Sequence, residues 1–163
     1  MSQTRRLAAI LFTDISGFTA LMGNDEQKAH DILKKNRALQ KPIIEQFGGT
    51  WIKELGDGVL ASFPTVSDAL NAAVTILEQC MAAKDFQLSM GIHQGEIVLE
   101  DGDIFGDAVN VASRIQSLGV PGSLLFSKKV KDEIRNKAEF QTESLGAFVF
   151  KNVEEPMEVF ALS

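Results

Sequence analysis

Residues 7–12 (LAAILF) form an unbroken apolar run, which reads as a buried strand. The polar, glycine-containing segment 13–19 follows it as a turn. Asn24-Asp25-Glu26-Gln27 has the form of a helix start, with an N-cap and a capping-box glutamine. Ala29, Ile32, Leu33, Leu39, Ile43, Ile44 and Phe47 then recur at helical spacing. Pro42 is expected to kink or split this helix, and Gly48-Gly49 to end it. Residues 50–55 and 59–63 are strand-like and joined across Gly56-Asp57-Gly58, which is hairpin chemistry. Residues 67–83 give a second amphipathic helix with Ala69, Leu70, Ala73, Val74 and Leu77 on one face. A strand is expected over 86–99, interrupted by Gly91 and Gly95, and a helix over 105–118, closed by Gly119 and Pro121. Residues 124–126 read as strand, 128–137 as a short helix, and 140–162 as strands and turns.

Helices between strands imply parallel crossovers, and the hairpin implies an antiparallel part. The expected fold is therefore α+β: a ferredoxin-like mixed sheet with helices packed on one face. No repeat or linker divides the chain, so residues 1–163 are expected to form a single domain, long enough to bury a real core.

Composition narrows the functions open to such a fold. At 45% hydrophobic and 23% charged residues the chain is ordinary for a globular protein. A net charge of −6 argues against a surface built for nucleic acid. No apolar run approaches the ~18 residues that span a bilayer, so no direct membrane insertion is expected. The basic N-terminus (residues 1–6) is followed by an apolar stretch that Asp14 breaks, which does not fit a signal peptide. The chain could still be a piece of a longer, membrane-bound parent. Cys80, the one cysteine, allows neither an internal disulfide nor a thiolate zinc cluster. It is expected to be a small apolar helix residue in a reducing, cytoplasmic compartment.

Candidate chemistry concentrates in three places. Asp14 stands where a strand gives way to a turn that opens a helix, a place where backbone N–H groups cradle anions and a carboxylate can hold a divalent cation. It could equally be an N-cap. Asp57, in Gly-Asp-Gly, is either a type I′ turn residue or a second carboxylate brought beside Asp14. Two such carboxylates suit a pair of Mg²⁺ ions. Asn110 and Arg114, four apart, share a helix face, while Val111, Ala112, Ile115 and Leu118 can serve as core. The pair is either a solvated polar face or a phosphoryl-directed arginine with its neighbour. Lys53 and Lys151 are plausible solvated strand residues. His93 reads as a satisfied strand histidine. No GxxxxGK[ST] loop is present, which excludes a P-loop site.

Residues 12–19 (FTDISGFT), 53–63 (KELGDGVLASF) and 103–115 (DIFGDAVNVASRI) together resemble the catalytic domains of class III adenylate and guanylate cyclases, in that order and spacing. The resemblance implies that Asp14 and Asp57 bind two Mg²⁺ or Mn²⁺ ions per site, with the Ile15 carbonyl as a further ligand. It implies that the turn of Ser16, Gly17, Phe18 and Thr19 cradles the triphosphate. Lys53 and Asp103 match the base-selecting positions in their adenine-selecting combination: a lysine donates to adenine N1, and an aspartate accepts from the 6-amino group. Asn110 matches the ribose-orienting residue, Arg114 the transition-state arginine, and Lys151 a triphosphate-binding lysine. By the same resemblance the substrate is ATP, the product 3′,5′-cyclic AMP. The active unit is a homodimer with sites at its interface, open to control by a regulatory domain in a longer parent chain. The short segment between Gly95 and Asp103 implies a trimmed hairpin arm. A guanylate cyclase of this fold, or a non-catalytic dimerisation or nucleotide-sensing domain, are the alternatives.

Overall fold

The computed structural model describes residues 4–162. Positions 1–3 of the basic N-terminus and position 163 lie outside the described residues. The elements run β1 (Thr4–Ile15), α1 (Phe18–Asn24), α2 (Glu26–Gln46), β2 (Thr50–Leu55), β3 (Gly58–Phe63), α3 (Val66–Ala83), β4 (Leu88–Glu100), β5 (Asp103–Phe105), α4 (Asp107–Ser117), β6 (Leu124–Ser127), α5 (Lys128–Ile134), β7 (Thr142–Phe148) and β8 (Met157–Leu162). The strands form one mixed sheet in the order β2-β3-β1-β4-β6-β8-β7, with β5 paired to β4 off this path. The parallel pair is β4 with β6, joined through α4; the other pairings are antiparallel.

Alternation along β1 shows how the layers are built. Ala9 and Leu11 pack into the main core with α2, α3 and α5. Ala8 and Ile10 face the other way, onto Ala108 and Ala112 of α4. The mixed sheet with packed helices is as expected, but its helices lie on both faces and not on one. Gly91 makes the α4 contact possible. A Cβ there would come within 2.5 Å of the Gln116 backbone nitrogen and 2.6 Å of the Ala112 carbonyl.

Several local expectations need correction. A helix starts where it was expected, with Asp25 as its cap, but the split expected at Pro42 is not seen. Residues 18–24 already form α1, and α2 runs unbroken through Pro42. Proline is tolerated because it sits on the solvent face, where the carbonyl it leaves unpaired meets water, while buried Ile43 and Ile44 hold the last turn to the core. Asp25 is the cap, accepting from the Lys28 N–H at 3.1 Å. Gln27 bonds Asp31 at 3.2 Å and closes no capping box. Residues 103–105 are strand, so α4 begins at Asp107. The β4–β5 hairpin turns on Asp101 and Gly102, both with positive φ (53° and 78°), the pattern of a type I′ turn. Leu118 is exposed instead of core.

Candidate active site

Asp14 lies one residue from the end of β1, between two cross-strand partners, Gly58 of β3 and Ser89 of β4. Asp57 immediately precedes Gly58, in a two-residue turn closed by the Leu55–Gly58 pair. Of the two central residues only Gly56 has positive φ (64°), which is the type II′ pattern and not the I′ turn considered from sequence. This tight turn brings the Asp57 carboxylate within hydrogen-bonding reach of Asp14. Partial burial, followed by the hydrogen bond and repulsion from Asp57, pushes the Asp14 carboxyl up to about 7, against the opposing pull of the Ile15 N–H.

Two carboxylates forced this close favour a shared proton or a shared cation. Among the described residues no group of three or more His, Cys, Asp or Glu side chains could hold a metal ion. A pair suffices for Mg²⁺, which commonly takes one or two carboxylates and completes its octahedron with substrate phosphates and water. The donor set therefore fits a divalent ion carried with a nucleotide.

Lys53 and Asp103 meet on the sheet face that α4 covers. A register shift between Trp51 and Lys53 pairs Lys53 with Leu60, a member of the α4-side cluster. The Lys53 ammonium donates to Asp103 Oδ2 at 2.8 Å, and the Ile104 N–H donates to Oδ1 at 2.7 Å. The hydrogen bond from Lys53 is the main reason the Asp103 carboxyl is held below its ordinary value.

Asn110, Arg114 and Lys151 line a separate cavity of about 530 Å³ with Asp107, Val111 and Glu154. Asn110 is exposed and Arg114 half-buried, whereas Val111, Ala112 and Ile115 are core, as the helical spacing implied. The Arg114 Nη1 is buried and has no hydrogen-bond partner among the described residues. A guanidinium nitrogen left so is an electrostatic demand for an anion or polar ligand. None of Asp14, Asp57, Lys53 or Asp103 lines this cavity. The seven side chains thus fall into three groups within one protomer: two carboxylates, an ion pair, and an Asn/Arg/Lys cluster.

The expected cradle is narrower than its four residues. The Ser16 N–H already donates to the Gln87 carbonyl at 2.9 Å, so it is committed to the sheet. Gly17 (φ 72°) adopts the left-handed conformation that starts α1 without a side-chain cap, followed by Phe18 and Thr19. His93 is buried and bonded to Ser127 Oγ at 2.7 Å; burial, then Lys129, depress it to about 4, so it is a neutral core histidine. Cys80 is buried on α3, its thiol donating to the Phe86 carbonyl. No helix among the described residues is long and apolar enough to cross a membrane.

Sequence reading missed the buried polar residues around Asp14. Gln116 Nε2 donates to Ser89 Oγ at 2.8 Å. On the opposite face Gln40 meets Thr13 Oγ1 at 3.1 Å and donates to Asn36 Oδ1 at 2.6 Å. The available signal was positional. Gln40 and Gln116 each fall four residues from a buried helix position, in line with the apolar stripe.

With this geometry in view, the chain matches the family described as the adenylate and guanylate cyclase catalytic domain over residues 1–163, and it belongs to that family. Among curated relatives, "Putative adenylate cyclase 3" of Rhizobium meliloti is 34% identical over 98% of this chain and 28% of its own length. An adenylate cyclase of Streptomyces coelicolor is 29% identical over 80% of this chain and 34% of its own. The chain thus spans about a third of the length of these relatives. Among solved structures, an adenylate/guanylate cyclase/hydrolase from Silicibacter pomeroyi superposes with a TM-score of 0.91 at 37% identity, covering 99% of this chain and 98% of that one. The adenylyl cyclase CyaB from P. aeruginosa has a TM-score of 0.90 at 21% identity, with 100% and 96% covered, and bears on the fold alone.

Proposed function

We propose that this cyclase domain converts ATP to 3′,5′-cyclic AMP and pyrophosphate as a homodimer with sites at the interface. The observation that carries the choice of adenine is the Lys53–Asp103 ion pair at 2.8 Å. It presents a donor and an acceptor side by side. Adenine offers the complement, an acceptor at N1 and a donor at the 6-amino group. Guanine offers O6 and N1–H in those places and would leave both side chains mispaired, which is costly once a dimer interface excludes water from them.

Asp14, Asp57 and the Ile15 carbonyl would hold two divalent ions. When bound, Mg²⁺ or Mn²⁺ supplies Lewis-acid activation of the ribose 3′-hydroxyl and neutralises charge on the triphosphate. Gly17, Phe18 and Thr19 would line the triphosphate with backbone, the Ser16 N–H being already engaged. Asn110 would orient the ribose for in-line attack on the α-phosphorus. Arg114 would stabilise charge on the transferring phosphoryl group, and Lys151 the leaving pyrophosphate. The separation of the Asn110–Arg114–Lys151 cavity from the carboxylates supports a shared site. One protomer would give Asp14 and Asp57, and its partner Lys53, Asp103, Asn110, Arg114 and Lys151. The names of the Rhizobium and Streptomyces relatives favour the same activity.

The test is product formation by the purified chain with ATP and separately GTP, in Mg²⁺ and in Mn²⁺, over a range of protein concentrations. Cyclic AMP as main product, rising more steeply than linearly with protein, is expected. Cyclic GMP as main product would overturn the roles of Lys53 and Asp103. The absence of either product under every condition, with nucleotide still binding, would favour the non-catalytic alternative.

A further inference from the structure

We infer that Gln116 is a positioning residue for the carboxylate end of β1, acting through Ser89 to fix Asp14 relative to α4. The inference rests on the reading of Asp14 as a metal ligand. Ser89 is the residue directly across from Asp14 in the β1–β4 ladder. Cross-strand partners project from the same face, and here that is the face covered by α4. The Gln116 amide reaches down from α4 and donates to Ser89 Oγ at 2.8 Å. Both residues are about as buried as the apolar core, with 7% exposure each.

The contact has no slack. The Gln116 backbone lies against Gly91, where a Cβ would approach its nitrogen to 2.5 Å. Gly119 closes the other side, where a Cβ would come within 2.3 Å of Ser123 Oγ and 3.4 Å of the Ser89 Cβ. Close-packed interiors transmit small displacements and do not absorb them. A shift of α4 along β4 therefore moves Ser89, and with it the strand position beside Asp14. The opposite face is braced in the same way: Thr13, the neighbour of Asp14, is tied to Gln40, and Gln40 to Asn36. A core needing only stability would use apolar residues in these places, because a buried polar pair contributes little net free energy and is costly when half-made. What the pair adds is a directional tie. Since α4 also carries Asn110 and Arg114, the tie makes the geometry of the Asp14 carboxylate depend on the seating of the helix that carries them.

The experiment is a titration of the full chain with Mn²⁺ alone, followed by electron paramagnetic resonance, with thermal unfolding in parallel. The variants are Gln116→Met, Ser89→Ala, their double, and Ile134→Val as a destabilised core control away from the site. Loss of one geometry-setting hydrogen bond is expected to weaken Mn²⁺ binding by roughly three- to tenfold in either single variant. The double variant should be no weaker than the singles, because the two groups act as a unit. Ile134→Val should lower Tm with wild-type Mn²⁺ affinity. Wild-type affinity in both Gln116→Met and Ser89→Ala, with Tm lowered as in the control, would overturn the inference and leave a merely structural pair. Asp14→Asn separates the two levels: if it leaves Mn²⁺ binding intact, the metal reading itself fails, and the positioning role fails with it.

Discussion

The Lys53–Asp103 pair and the Arg114–Lys151 cluster carry opposite-handed electrostatics. The first is self-satisfied: its ammonium and carboxylate hold each other at 2.8 Å, and a backbone N–H takes the remaining carboxylate oxygen. The second is left wanting, with a buried Arg114 nitrogen that has no hydrogen-bond partner among the described residues. A self-satisfied pair gains little from any ligand, because each new hydrogen bond replaces an old one. Its value lies in rejecting ligands that cannot make the exchange. A wanting cation gains from any suitable anion and gains most where charge develops. On the proposed function the first region would serve selection, and the second affinity and rate.

On the proposed function both regions would serve the carboxylates, so the sharpest break in this contrast is there. Asp57→Ala is expected to lower turnover by on the order of 10³-fold or more, read as cyclic AMP at saturating Mn²⁺. Arg114→Ala should come next, lowering kcat by roughly 100-fold with little change in the ATP/GTP preference. Thermal stability should hold, since the buried nitrogen has no partner to lose. Lys53→Met should do the reverse. The ratio of kcat/KM for ATP to that for GTP should fall by about 10- to 100-fold, while total cyclase activity suffers less. If Arg114→Ala altered base preference as much as Lys53→Met, the division of labour would be wrong.

The smallest expected effect is in pH dependence. The folded-state value of Asp14 is raised, so without metal the folded chain binds an extra proton between the ordinary value of 3.8 and about 7. Stability from this group is present below pH ~4 and is lost as pH rises through about 7. His93 has the opposite sign: its depressed value of about 4 makes the fold lose stability as pH falls from 6.5 toward 4. The two contributions offset each other over the same window. In metal-free Asp14→Asn the histidine effect is no longer offset, and Tm should fall by several degrees between pH 6.5 and 4, more steeply than in the wild type. Mn²⁺ affinity of the wild type should rise with pH up to about 7, because the ion displaces that proton.

Legibility from sequence followed the kind of physics involved. The β2 boundaries, the Gly48–Gly49 helix stop and the apolar face of α4 at Val111, Ala112 and Ile115 were visible, because local chemistry determines them. The helix start at Asn24–Gln27 was visible, but α1 before it was not, and Pro42 gave a strong local break signal that burial of Ile43 and Ile44 overrides. The second helix layer was hidden for another reason. Alternation in a strand buried on both faces reads as a plain apolar run, so nothing in residues 7–12 reports that Ala8 and Ile10 face α4. At the site, the family resemblance singled out Asp14, Asp57, Lys53, Asp103, Asn110, Arg114 and Lys151. It did not reveal that they fall into three groups, nor that the Ser16 amide is already used. Gln116 and Gln40 were passed over because a polar residue on an apolar stripe looks like noise until its partner across the sheet is known.

The separation of the carboxylates from the Arg114 cavity is tested most directly by mixing two strongly impaired variants, Asp57→Ala and Arg114→Ala. If each site is shared between protomers, an equal mixture forms heterodimers with one complete site. Cyclic AMP formation should then recover to roughly a quarter of the wild-type rate. A mixture no more active than its components, with both variants dimeric, would contradict the shared site and place all the chemistry within one protomer.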